Sequence, residues 1–189
     1  VPDSMLKQFV FAGFGGQGVL TAGMILANMG SLYEKEVIWM PSYGSEMRGG
    51  TANCSVKISD EAIASPFVKK IDYLIAMNKP SLDKFLPQMK EGGTVVVDSS
   101  IVTELPEDGH VKVVPVPADA ICEELKNTRS ANVCILGALA GCSDLFSKEQ
   151  YENGIRDYFS SKPQFHEGNI RVFEAGYAYV KEGAAFGTA

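Results

Sequence analysis

The chain has 189 residues, of which 46% are hydrophobic and 21% are charged, and its formal net charge is −6. This size and composition are typical of a globular protein with a substantial core, and we expect a single domain over residues 1–189. An acidic chain without a cluster of lysines and arginines is a poor nucleic-acid binder, so nucleic acid is not an expected partner.

Residues 9–18 read FVFAGFGGQG, in which a short apolar run ends in closely spaced glycines. Gly13, Gly15 and Gly18 have the G-x-G-x-x-G spacing of a phosphate-binding turn between a strand and a helix. Glycine permits a positive φ and close approach of a ligand, and the following helix begins with unpaired N–H groups. Together with Gly16 and Gln17, these glycines form the first candidate site, which we call the glycine turn (residues 13–18). The alternative is a tight turn that packs helix on strand without a ligand.

Residues 8–33 carry no charge and are long enough to cross a bilayer, but their glycines favour a buried strand and helix over a membrane span. No secretory signal is recognised, so we expect a cytoplasmic protein. No C-x-x-C pair occurs, which argues against zinc or iron–sulfur ligation and favours free thiols. The four cysteines are Cys54, Cys122, Cys134 and Cys142.

Strand-like and helix-like segments alternate along the chain. The predicted strands are Lys7–Ala12, Val37–Met40, Ala52–Ile58, Tyr73–Met77, Thr94–Val97 and Val111–Val116. The predicted helices are Gly16–Leu32, Pro80–Met89, Ala118–Leu125, Ala131–Gly141, Ser147–Ser160 and Glu167–Lys181. This pattern predicts an α/β fold with a doubly wound, largely parallel sheet and a Rossmann-like first βα unit. Because residues 52–58 alternate in polarity, they are a candidate edge or antiparallel strand.

A dinucleotide site needs an acidic residue at the end of the second strand to bind a ribose hydroxyl. That strand runs into Pro41-Ser42-Tyr43-Gly44, while Glu34 and Glu36 precede it. The missing acid argues against an independent NAD-dependent oxidoreductase. That function remains an alternative, together with a flavin-binding module.

A second motif, PSYGSEMRGGTANC, covers residues 41–54 and leaves the carboxyl end of the second strand, next to the glycine turn. Open α/β sheets bind ligands in this crevice, where the Arg48 guanidinium can hold a phosphate or carboxylate. Ser45 and Gly49 complete the second candidate site. The alternatives are an ion pair of Arg48 with Glu46 that stiffens the loop, or an interface rich in aromatic and methionine side chains.

The two motifs GFGGQG and SYGSEMRGGTANC together resemble the gamma subunit of 2-oxoacid:ferredoxin oxidoreductases. The resemblance continues through IDYLIAMNKPSLDKF at 71–85 and GGTVVVDSS at 92–100 and covers residues 6–180. The second motif is most similar to the 2-oxoglutarate or branched-chain 2-oxoacid branch. A subunit of an indolepyruvate:ferredoxin oxidoreductase is the alternative within the family.

The resemblance implies a complex that converts a 2-oxoacid, coenzyme A and oxidised ferredoxin to acyl-CoA, carbon dioxide and reduced ferredoxin. Thiamine diphosphate, magnesium and iron–sulfur clusters would be held by the partner subunits. These are an alpha and a beta subunit, and in some complexes also a delta subunit. The gamma subunit would hold no cofactor alone, would be inactive alone, and would contribute to coenzyme A binding and to assembly. From the residues themselves, His110 and His166 are expected to face solvent. Asp98 is expected to cap a helix, with a ligand contact as the alternative.

Overall fold

A computed structural model describes residues 4–42, 51–107 and 109–183 of the chain. The strands are β1 (Leu6–Phe14), β2 (Glu36–Ser42), β3 (Thr51–Ser59), β4 (Ile71–Ala76), β5 (Met89–Asp98) and β6 (Lys112–Val116). The helices are α1 (Val19–Leu32), α2 (Lys79–Phe85), α3 (Ala118–Glu124), α4 (Ala131–Cys142), α5 (Lys148–Tyr158) and α6 (His166–Lys181). Short 3₁₀ turns at Leu86–Gln88 and Pro163–Phe165 precede β5 and α6.

The six strands form one sheet in the order β2-β3-β1-β4-β5-β6. Strands β1, β4, β5 and β6 pair in parallel, and β3 pairs antiparallel with both β1 and β2. The prediction of a largely parallel α/β sheet with one antiparallel strand is therefore confirmed. Of the two options predicted for residues 52–58, the antiparallel strand is confirmed, and the edge position is taken by β2, which pairs antiparallel with β3.

Side chains from the two faces of the sheet enter two separate apolar cores. The larger core contains Phe9, Phe11, Val56 and Ile75 and is covered by α1 and the helices from α3 to α6. The smaller core contains alternate residues of the same strands and is covered by α2 and the segment around Val102. The alternation follows from the period of two in a strand, and burial on both faces explains the continuous apolar runs.

Helix α2 and strand β5 differ from their predicted bounds at their junction. The predicted helix Pro80–Met89 ends already at Phe85, and a 3₁₀ turn containing Pro87 follows. Proline lacks the N–H that an α-helical hydrogen bond requires, so the helix cannot continue through it. Met89 instead begins β5 and pairs with Ile71 of β4, five residues earlier than the predicted start at Thr94.

Helices α4 and α6 pack at unusually close range. A methyl group placed on Gly137 would overlap the carbonyl oxygen of Phe173, and one on Gly176 would overlap that of Cys134. Helix α4 is buried along almost its whole length, which confirms the predicted buried helix. Within the described ranges, no helix is both long and apolar enough to cross a membrane.

Candidate functional site

The glycine turn lies at the carboxyl end of β1, where the sheet presents its parallel strand ends. Gly16 and Gly18 have φ values of 94° and 75°, which side-chain-bearing residues rarely adopt. A methyl group placed on Gly16 would have no neighbouring atom within 4 Å among the described residues, so the space beside it is open. Gly15 is exposed in the same turn, and Gly13 is buried at the end of β1. The structure therefore brings the predicted residues 13–18 together in one open turn.

The Gln17 side chain fastens this turn to the neighbouring strand. Its Oε1 accepts a hydrogen bond from the Phe14 N–H at 2.6 Å, and its Nε2 donates to the Met77 carbonyl at 2.9 Å. Met77 directly follows β4, and its own N–H donates to the Ala12 carbonyl at 2.8 Å. Both polar atoms of the Gln17 amide are thus used by the protein, which makes Gln17 a positioning residue for the turn.

A residue that the sequence analysis missed, Asn132, holds the other side of the turn. Its Nδ2 donates to the Gly18 carbonyl at 3.2 Å, although the two residues are 114 positions apart. A methyl group on Gly18 would lie 2.6 Å from the same nitrogen, so only glycine leaves room for this contact. The sequence signal was weak, because Asn132 is a single polar residue at the start of a long apolar helix.

The second predicted site falls on residues that the structure does not describe. Ser45, Arg48 and Gly49 lie outside the described ranges, so their assignment stays a prediction. The residues that bound this segment are described: Ser42 pairs with Asn53, and Thr51 pairs with Phe14 at the glycine turn. Ser42 and Thr51 therefore lie at the same end of the sheet as the glycine turn.

The sheet order changes the interpretation of a dinucleotide site. Strand β2 does not lie beside β1, because β3 is inserted between them. Among the described residues at the carboxyl end of β2, namely Met40, Pro41 and Ser42, none is acidic, and Glu36 lies at the opposite end. The ribose contact of a dinucleotide site is thus missing from this part of the sheet.

Asp98 follows the buried part of β5 and is itself fully buried. Its Oδ1 accepts hydrogen bonds from the Ser100 N–H at 3.0 Å and from the Ala118 N–H at 3.1 Å, at the start of α3. The Ala118 contact is a capping hydrogen bond at the start of α3, as predicted, although the N-cap position of that helix is Pro117. Burial raises the pKa of the Asp98 carboxyl, and the two backbone hydrogen bonds oppose that shift.

Neither histidine has the geometry of a base at the glycine turn. The His166 ring contacts the Phe159 carbonyl through Nε2 at 2.8 Å and is partly buried, so the expectation that it faces solvent is only partly met. His110 lies in the segment before β6 and is likewise partly buried. In the portion of the chain that the structure covers, no group of three or more histidine, cysteine or acidic side chains has metal-binding geometry.

All four cysteines are free thiols, as predicted, and only Cys142 is partly exposed. Burial raises the pKa of Cys54 to about 12 and that of Cys142 to about 11. These two thiols are protonated at neutral pH and are therefore poor nucleophiles and poor metal ligands.

Residues 8–179 match the family model described as pyruvate ferredoxin/flavodoxin oxidoreductase. The chain is 39% identical over 181 residues to the 2-oxoglutarate synthase subunit KorC of Methanocaldococcus jannaschii, covering 94% of this chain and 96% of that protein. It is 38% identical over 183 residues to the ketoisovalerate oxidoreductase subunit VorA of Methanothermobacter marburgensis, covering 96% of this chain. The chain spans only 38% of the length of that VorA subunit.

The fold has a solved counterpart in the keto/oxoacid ferredoxin oxidoreductase gamma subunit from Geobacter sulfurreducens. The two chains are 31% identical, with a TM-score of 0.82, and the match covers 95% of this chain and 98% of the other. This near-complete overlap confirms the resemblance to gamma subunits. The chain belongs to the pyruvate ferredoxin/flavodoxin oxidoreductase family.

Proposed function

We propose that this chain is the gamma-type subunit of a 2-oxoacid:ferredoxin oxidoreductase complex. Family membership supports this assignment, as does the near-complete overlap in both directions with a KorC subunit and a solved gamma subunit. The complex would oxidatively decarboxylate a 2-oxoacid, transfer the acyl group to the sulfur of coenzyme A, and pass the two electrons to ferredoxin. Alpha and beta subunits, with or without a delta subunit, would hold thiamine diphosphate, magnesium and the iron–sulfur clusters.

The chain itself would bind coenzyme A and assemble with these partners in the cytoplasm. The observation that carries this proposal is the open glycine turn, with Gly16 and Gly18 at positive φ directly before the 14-residue helix α1. Backbone N–H groups at such a helix start bind phosphate oxygens well. Because the described residues that flank this segment, Ser42 and Thr51, lie at the sheet end of the glycine turn, Arg48 would add charge to the bound diphosphate.

Two other functions are weaker. An independent NAD-dependent oxidoreductase would need a ribose-binding acid at the end of β2, and the described part of that strand end offers none. A purely structural role of the two motifs is favoured by the exposed Phe14 at the turn, which is 37% accessible and suited to a subunit interface. The interface role is compatible with coenzyme A binding.

The decisive experiment measures the apparent KM for coenzyme A in the assembled complex carrying Gly16→Val or Arg48→Ala. We expect each change to raise that KM at least tenfold while thiamine diphosphate binding is unchanged, since a branched side chain at φ 94° distorts the turn and the alanine removes a cation. Gly92→Val is the matched control, because Gly92 has a similar φ of 73° and lies in β5, away from the glycine turn.

Wild-type coenzyme A kinetics in both variants would refute the coenzyme A role of this site. Loss of co-purification with the larger subunits would instead assign the turn to the interface. Tight binding of NADH to the purified chain by fluorescence titration would favour the alternative oxidoreductase.

A further inference from the structure

A cavity of about 370 Å³ lies at the end of the sheet opposite to the glycine turn. Two cross-strand pairs of β1 and β3 form part of its lining, Gln8 with Lys57 and Leu6 with Ser59. The segment 60–70, between β3 and β4, forms the wall over these pairs. Gln8 lies near the start of β1 and the glycine turn follows the end of the same strand, so the two are roughly 20 Å apart.

Lys57 brings a buried positive charge to this cavity. Its neighbours Val56 and Ile58 belong to the larger core, so the Lys57 side chain points to the opposite face of the sheet. The residue is only 6% exposed, and its Nζ donates a hydrogen bond to the Ser65 carbonyl at 2.8 Å. No described carboxylate forms an ion pair with it. A buried ammonium whose described contact is one neutral acceptor indicates that an anion balances it.

The polar side chains around this ammonium are donors with unused protons. Lys57 carries three protons on Nζ and uses one of them toward described groups. The Ser59 hydroxyl oxygen accepts the Glu61 N–H at 3.1 Å, and its own proton has no acceptor among the described residues. The Gln8 amide oxygen accepts the Lys69 N–H at 3.3 Å, and its Nε2 has no acceptor there either. Three donors at one cavity fit a ligand group that only accepts, such as a carboxylate.

The charges at the cavity match a ligand with a single negative charge. Lys57 and Lys69 contribute two positive charges and Glu61 one negative charge, so the lining has a net charge of +1. Lys69 and Glu61 are exposed, and neither forms an ion pair in the part of the chain that the structure describes. Burial lowers the pKa of the Lys57 ammonium, and the charge of Lys69 adds to that shift. A bound monoanion would relieve both effects.

The remaining lining residues are mostly apolar. Leu6 is 42% exposed, and Ile63 is half-buried between two exposed alanines, Ala62 and Ala64. Covering such aliphatic groups stabilises a complex in proportion to the apolar area removed from water. The cavity volume is near the lower end of the range for small-molecule sites, roughly 300–1,000 Å³, so the ligand must be small.

We propose that this cavity binds a small aliphatic monocarboxylate, with its carboxylate at Lys57, Ser59 and the Gln8 amide and its chain against Leu6 and Ile63. A carboxylate suits the lining better than a phosphate, because one negative charge neutralises it and no described helix begins at its walls. The site is separate from the glycine turn and does not depend on the proposed coenzyme A role.

The test measures binding of 4-methylpentanoate to the purified chain by isothermal titration calorimetry. We expect saturable one-to-one binding, because this acid combines one carboxylate with a branched aliphatic chain. The amide 4-methylpentanamide has the same shape without the charge and should bind at least tenfold more weakly. Inorganic sulfate has charge without an aliphatic chain and should also bind at least tenfold more weakly.

Variants of the two lysines locate the bound acid. Lys57→Met removes the buried cation but keeps a long unbranched side chain, so it should fold and weaken binding of the acid at least tenfold. Lys69→Gln, at an exposed position, should weaken binding only about threefold, since an exposed charge contributes less. Lys70→Gln is the matched control, because Lys70 is exposed and does not line the cavity. Thermal unfolding checks that each variant is folded.

Absence of saturable binding of the acid to the wild-type chain would overturn the proposal, as would equal binding by wild type and Lys57→Met. Equal affinities for the acid and for its amide or sulfate would also refute it. If the acid does not bind and Lys57→Met no longer co-purifies with the larger subunits, an acidic side chain of a partner occupies the cavity instead. None of these measurements involves coenzyme A, so they leave the proposed function to its own test.

Discussion

Asn132 at the start of α4 donates a hydrogen bond from Nδ2 to the carbonyl oxygen of Gly18 at 3.2 Å. This contact ties the glycine turn to a helix that the chain reaches more than a hundred residues later. Asn132 is 8% exposed, so its amide would have few alternative partners if the contact were lost. The position of the turn therefore depends on a distant part of the chain as well as on its own glycines.

Replacement of Asn132 should separate the structural and electrostatic contributions of this contact. Asn132→Ala removes one hydrogen bond and should lower the free energy of unfolding by about 1 kcal/mol, measured by urea denaturation. Asn132→Asp should also raise the apparent KM for coenzyme A, because it places a carboxylate next to the Gly18 carbonyl and the anion-binding region. Asn153→Ala, at an exposed position on α5, is the control and should have neither effect.

Gln17→Ala should destabilise the fold by about 1–3 kcal/mol. The change leaves the Phe14 N–H and the Met77 carbonyl without their side-chain partner and releases the turn from β4. Urea denaturation of the purified chain measures the effect. Gln88→Ala, at an exposed site in the 3₁₀ turn before β5, is the matched control. Equal stability of the two variants would show that the Gln17 amide does not hold the turn.

Gly137→Ala should be one of the most damaging single-methyl additions in the chain. The methyl group would overlap the Phe173 carbonyl, so helices α4 and α6 would have to separate, at a cost of about 1–3 kcal/mol or more. Gly141→Ala adds the same group one turn later, where the nearest atom, Cβ of Val180, is 3.1 Å away, and should cost less. Thermal unfolding of both variants checks this order, and a reversed order would contradict the packing described.

The stability of the protein should fall as the pH rises above about 9, because the thiols of Cys54 and Cys142 resist ionisation in the folded chain. Burial raises the pKa of Cys142 to about 11 and that of Cys54 to about 12, while the pKa of a cysteine in the unfolded chain is about 8.5. Above that lower value the unfolded chain loses thiol protons that the folded chain keeps, so the free energy of unfolding decreases with pH. Urea denaturation between about pH 7 and pH 10.5 measures this slope.

Cys142→Ala removes one of these thiols at a partly exposed position and should make the slope above about pH 9 shallower. The variant and wild-type curves should run parallel below about pH 8, where the thiol is protonated in both states. Parallel curves across the whole range would show that the pKa of Cys142 is the same in the folded and unfolded chain.

The predicted elements and the observed ones agree wherever a local pattern was sufficient. Helix α5 begins at Lys148 with a capping box in which Ser147 and Gln150 bond to each other's backbone, a signal contained in four residues. The apolar run at Tyr73–Met77 predicted a buried parallel strand, and β4 is parallel to both of its neighbours, β1 and β5. The junction around Pro87 was misassigned, because the extended pairing of Met89 with Ile71 is not visible locally.

The sequence by itself determined the α/β class, the glycine turn and the resemblance to gamma subunits, because each is encoded by residues close together in the chain. Tertiary structure decided the insertion of β3 between β1 and β2, the contact of Asn132 with Gly18, and the cavity beside Lys57. These features join segments that are far apart in sequence, and their partners are selected by packing and hydrogen-bond geometry. A spacing pattern contains no information on which distant side chain will face a turn, so only the folded chain could place Asn132 beside it.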